Sequence, residues 1–72
     1  VRYGLIEEAI NLLEKLKVEV PQNIEIHKRL KDLYLEINDK ERAISECLIL
    51  SKLYENKGNL QQKEIVIKEA FE

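Results

Sequence analysis

The chain has 72 residues and a net charge of −2, from 12 basic and 14 acidic side chains, with 44% apolar residues and a single cysteine. Such a length holds one domain at most, and this balance excludes a disulfide scaffold, a collagen-like chain and a basic nucleic-acid module. Twelve Glu, nine Lys and eleven Leu, against no Thr and two Ser, point to helices rather than strands.

A first helix is expected over Leu5–Val18. Leu5, Ile6, Ala9, Ile10, Leu12, Leu13 and Leu16 follow the i, i+3, i+4 rhythm and cover an arc of about 160°. Pro21 ends it, and Gln22-Asn23 supply a connector and a cap. A second helix is expected over Ile24–Ile37, with a narrower stripe of Ile26, Leu30, Leu33, Tyr34 and Ile37. The third is expected over Asp39–Lys57 and the fourth over Leu60–Phe71. Asn38 with Glu41, and Asn59 with Gln62, have the spacing of capping boxes. Gly58 suits the left-handed residue that follows a helix. Glu25 with Arg29, and Glu64 with Lys68, stand in the favourable i, i+4 order for ion pairs.

The connectors are short, so consecutive helices should lie antiparallel. The third helix differs from the others. Ala43, Ile44, Cys47, Leu48, Ile49, Leu50, Leu53 and Tyr54 wrap about 260° of its circumference. A helix apolar on most sides is expected to be contacted on most sides, which makes this one the central element.

The sequence also matches itself at a spacing of 34: Gly4 with Asn38, Ala9 with Ala43, Ile10 with Ile44, Leu13 with Cys47 and Leu16 with Leu50. That is the tetratricopeptide period. Tyr3-Gly4-Leu5-Ile6-Glu7-Glu8-Ala9-Ile10 resembles the turn and second-helix start of such a repeat. Leu30, Tyr34, Asn38-Asp39 and Glu41-Arg42-Ala43-Ile44 resemble the next one. A further echo runs at a spacing of 20, from Leu30, Tyr34 and Asn38 to Leu50, Tyr54 and Gly58, as if two helices had merged into the third. The fold expected is therefore all-α: four antiparallel helices forming tetratricopeptide-like hairpins around a long shared central helix. Residues 1–72 are read as one such domain within a larger protein, with a plain four-helix bundle as the other architecture.

Catalytic and metal signals are weak. His27 is the only histidine and is expected to be solvated or partly packed. Cys47 falls among apolar neighbours and is expected to be a buried, inert thiol. No zinc-like ligand spacing, phosphate loop or nucleophile motif is present, so neither an enzyme nor a cofactor is expected. Lys28, Arg29 and Lys31 are interleaved with Glu25, Asp32 and Glu36, which argues against nucleic acid.

What the resemblance implies is a surface for other proteins, carried by the second helix. The candidate partner-binding residues are Lys28, Arg29, Asp32, Leu35 and Glu36, with Ile65 on the fourth helix. In chaperone-binding members of that family, two basic residues and an amide clamp a terminal carboxylate. Lys28 and Arg29 match the basic members, whereas Asp32 stands where the amide would be and would repel a carboxylate. The expectation is a non-catalytic scaffold or adaptor module in the cytoplasm of a bacterium, binding a protein or peptide. It would contact neither membrane nor nucleic acid. The rival function is a homo-oligomerisation bundle. Some of Leu5, Leu12, Leu16, Val66 and Phe71 are expected to be under-covered at the two ends and to support weak self-association.

Overall fold

A computed structural model describes residues 2–71, and the side chains of residues 4–71. It is all-α: α1 (Arg2–Glu19), α2 (Ile24–Glu36), α3 (Lys40–Asn56) and α4 (Leu60–Phe71). No strand occurs among the described residues. The second to fourth helices lie within two residues of the expected boundaries. The first begins three residues earlier, so Gly4 is inside α1 and does not form a turn before it. The Tyr3 side chain lies outside the described residues.

The three connectors follow local chemistry. Asn23 Oδ1 accepts from the Ile26 backbone N–H at 3.2 Å and caps α2. After α2, the Asn38 N–H donates to Leu35 O and the Asp39 N–H to Tyr34 O. After α3, the Gly58 N–H donates to Glu55 O and the Asn59 N–H to Tyr54 O. Both are Schellman turns, with Asn38 (φ 61) and Gly58 (φ 75) in the left-handed position. The 20-residue echo is thus one turn used twice. In each turn the next residue caps the following helix: Asp39 Oδ1 accepts from the Arg42 N–H and Asn59 Oδ1 from the Gln62 N–H, both at 3.2 Å. Asn59 caps α4 as expected. Asn38 does not cap α3, because its left-handed backbone is committed to closing α2. Asp39 takes that role.

Close backbone approach among the described residues is confined to consecutive helices. Side chains nevertheless reach the helix after next: Lys17 of α1 meets Glu46 of α3, and Lys31 of α2 meets Glu69 of α4. Helices in a flat row at ~9 Å spacing would hold such pairs too far apart. The chain therefore zigzags within a slab of 39 × 29 × 14 Å. One core cluster gathers Ile10, Leu30, Tyr34 and Ala43 from α1, α2 and α3, and a second gathers Leu50, Tyr54 and Val66 from α3 and α4.

α3 does lie between α2 and α4, but it is not wrapped. Ala43, Cys47, Leu50 and Tyr54 are buried along one stripe, whereas Ile44, Leu48 and Ile49 are exposed. Neighbours cover one side of α3, and among the described residues the other side is left largely open. Of the five end residues, Val66 is buried, because α3 packs over it. Leu5, Leu12, Leu16 and Phe71 are exposed as expected.

Candidate functional site

α2 is clamped between α1 and α3 along Ile26, Leu30, Leu33, Tyr34 and Ile37. Its other side carries Lys28, Arg29, Asp32, Leu35 and Glu36, all exposed. Of the expected ion pairs, Glu25 approaches Lys28 at 3.9 Å, one residue short of the expected Arg29.

Two shallow grooves flank this face. The groove between α1 and α2 encloses about 430 Å³; Ala9, Leu12, Leu13 and Leu33 form its floor, and Arg29, Asp32 and Glu36 its polar edge. The groove between α2, α3 and α4 encloses about 300 Å³ and is lined by Leu35, Ala43, Ile44, Cys47, Ala70 and Phe71, with Lys40 and Glu69 at its margin. The six candidate residues therefore do not form one site. Arg29, Asp32 and Glu36 share the first groove, and Leu35 belongs to the second. Lys28 and Ile65 line neither, although both are exposed. Lys28 and Arg29 thus diverge, and the basic half of a carboxylate clamp is not assembled.

At the margin of the second groove stands an ion pair that was not expected from the sequence. Lys31 is buried on α2, and its Nζ donates to both Glu69 carboxylate oxygens at 3.0 Å, with Asp32 Oδ1 at 3.4 Å. Burial pulls the Lys31 pKa down, but its bonds and charge attraction to Glu69 and Asp32 outweigh this and raise it. The pair draws the end of α4 against α2 and places Ala70 and Phe71 beside Leu35. The signal in the sequence was a lysine next to Leu30 and three residues before Tyr34, within the buried arc of the helix.

A buried polar chain joins α1, the Pro21 connector, α2 and α3. His27 is 2% exposed and Glu46 3%, which corrects the expectation of a solvated or partly packed histidine. His27 Nδ1 meets Glu46 Oε1 at 2.6 Å, and His27 Nε2 meets the Pro21 carbonyl oxygen at 2.7 Å. The carbonyl can only accept, so Nε2 donates to it, and a proton is shared between Nδ1 and the Glu46 carboxyl. Lys17 Nζ donates to Glu46 Oε2 at 3.0 Å and pairs with Glu14 Oε1 at 2.8 Å. The Tyr34 hydroxyl donates to Glu14 Oε2, and the Arg42 guanidinium lies over the Tyr34 ring at 5.7 Å.

These contacts shift the titration of Glu14 and Tyr34. Burial alone would push Glu14 up, but hydrogen bonds from Lys17 and Tyr34 and the charges of Lys17 and Arg42 hold it below the usual carboxylate range. Burial, reinforced by the Glu14 carboxylate, pushes the Tyr34 phenol up to about 12 against the opposing effect of Arg42. No buried side-chain N or O among the described residues lacks a hydrogen-bond partner. The network therefore locks α1, the Pro21 connector, α2 and α3 together.

Cys47 is buried, and burial pushes its thiol up, away from the reactive thiolate. Among the described residues no group of three or more His, Cys, Asp or Glu is arranged to hold a metal ion. No helix of the described residues is long and apolar enough to cross a membrane. Comparison with family models, curated proteins and solved structures finds no match to this chain.

Proposed function

We propose that this chain is a non-catalytic protein–protein interaction module of tetratricopeptide-like hairpins that takes up a peptide or helix along α2. One observation carries the proposal. The exposed face of α2 is bordered on both sides by apolar-floored grooves with charged residues at their edges. Recognition of an amphipathic segment uses apolar anchors in a groove and charges at its edge. Here Leu12, Leu33 and Leu35 offer the anchoring surface, and Arg29, Asp32 and Glu36 the edge. The 34-residue self-match supports the hairpin-repeat assignment, and packing between consecutive helices suits stacked repeats better than a closed bundle. A cytoplasmic, bacterial setting belongs to the same proposal.

Selection of binders from a random peptide library displayed on phage tests it. Peptides that engage this face should bind Leu35→Asp or Arg29→Glu at least about tenfold more weakly, the scale of a groove anchor or a desolvated charge contact. Both residues are exposed, so melting temperatures should be unchanged. Selected peptides that bind both variants as tightly as the parent would refute it.

A further inference from the structure

α1 carries two apolar stripes. The first, Ile6, Ile10 and Leu13, packs into the core. The second is Leu5, Ala9, Leu12 and Leu16. These four residues fall within an arc of about 60° at 100° per residue. Leu5 is 68% exposed, Leu12 62% and Leu16 39%. Three leucines in line on one open helix face are more than the scattered apolar residues a surface normally shows.

The order of residues along this stripe is self-complementary. Spacings of 4, 3 and 4 make Leu5, Ala9, Leu12 and Leu16 a short d-a-d-a heptad seam. When a second copy of α1 runs antiparallel, residues whose numbers sum to 21 lie opposite each other. Leu5 then meets Leu16 of the other copy, and Ala9 meets its Leu12. Every layer is apolar, and each large side chain at the centre faces a small one. The flanking positions on the solvent side are Glu8 and Lys15, both exposed. In an antiparallel pair the same flank of each helix faces its counterpart, two residues out of the seam register. Glu8 therefore meets Lys15 of the other copy, and two-fold symmetry repeats the contact. Among the described residues neither Glu8 nor Lys15 has an ion-pair partner within its own chain.

We propose that the outer face of α1 is a two-fold antiparallel contact between two copies of this chain, sealed by Leu5, Ala9, Leu12 and Leu16 and oriented by reciprocal Glu8–Lys15 pairs. Apolar layers alone would accept many partners. The placement of one acid and one base at matching distances from the centre selects a second copy in this orientation. The contact shares Ala9 and Leu12 with the floor of the α1–α2 groove, so it competes with a ligand there, and it leaves Lys28 and Leu35 open. One pair of helices this long buries less than the ~1,600 Å² of a standard stable interface. The expected dissociation constant accordingly lies between about 10 μM and about 1 mM.

Sedimentation equilibrium of the whole chain at low salt tests this, with circular dichroism to verify that each variant remains folded. The parent should dimerise within that range, and Leu12→Asp should remain monomeric. Glu8→Lys and Lys15→Glu should each weaken self-association about tenfold, as two attractive contacts become repulsive. Mixed in equal amounts, these two variants should recover dimerisation, because every Lys then faces a Glu across the seam. A parent that remains monomeric at about 1 mM, a dimer insensitive to Leu12→Asp, or a mixture no heavier than its separate components would each overturn the proposal.

Discussion

Glu46 is the residue on which the interior polar chain turns, and its removal has a large calculable effect. The Glu46 carboxyl shares a proton with His27 Nδ1 across 2.6 Å and accepts from Lys17 at 3.0 Å. Glu46→Ala leaves His27 buried at 2% exposure with one ring nitrogen unpartnered. Lys17 keeps Glu14 and, with its side chain a quarter exposed, can turn to water. Breaking a buried pair by removing one partner costs about 3–5 kcal/mol, and the freedom of Lys17 places this case near 3. A 72-residue chain has a total stability of about 4–11 kcal/mol. A loss of that size should lower the melting temperature by about 12–24 °C. Thermal and urea denaturation followed by circular dichroism at neutral pH measure it. Glu46→Gln, which keeps an acceptor, should cost less. His27→Ala combined with Glu46→Ala should cost less than the sum of the single changes, since the orphaned ring is then gone. Glu41→Ala, on the exposed face of the same helix, should remain within about 0.5 kcal/mol of the parent. If Glu46→Ala behaved like Glu41→Ala, the interior network would not hold α1 to α2 and α3.

Leu50 is fully buried and Ile44 is 40% exposed. Leu50→Ala should cost about 2–5 kcal/mol in urea unfolding, whereas Ile44→Asp should cost less than about 1 kcal/mol, the reverse of what the apolar wrap of this helix suggests. Tyr34 should weaken the fold in alkali. With its phenol at about 12 in the folded chain and an ordinary value of 10.0, its contribution is complete below pH 10 and is lost as pH rises from 10 to about 12. Tyr34→Phe should remove that part of the alkaline transition and, with it, a late-ionising phenol from the ultraviolet titration. Glu14 acts at the other extreme: its depressed pKa gives stability that is present above its ordinary value of 4.5 and lost as pH falls through its folded value. The acid limb of the stability curve should therefore be shallower in Glu14→Gln. The Cys47 thiol should resist an aromatic disulfide reagent in the native state and react at once in denaturant, since it is buried with its pKa raised.

Much of the fold was legible because it rests on interactions between near neighbours. Helix periodicity, Pro21, Asn23, Gly58 and Asn59 act over three or four residues, and the four helices follow from them. The exception at that range is instructive. Asn38 and Asp39 can both cap a helix, and the choice between them depended on which could also take a left-handed backbone. Asparagine does so more readily, so it closes α2 and leaves Asp39 to open α3. The exposure of the α2 face and of Leu35 followed from the phase of the apolar stripe.

The partners of buried charges were another matter. His27 and Glu46 stand 19 residues apart, Lys17 and Glu46 29, and Lys31 and Glu69 38. A charge within an apolar arc shows that a partner is required, but only packing decides which one arrives. The same limit explains α3. Its apolar residues were plain in the sequence, yet burial needs a neighbour on each side, and the zigzag path covers one stripe while leaving Ile44, Leu48 and Ile49 open. Separate grooves for Arg29 and Leu35 arise for the same reason, because α1 borders one groove and α3 with the end of α4 the other, and neither position is written in the local spacing of α2.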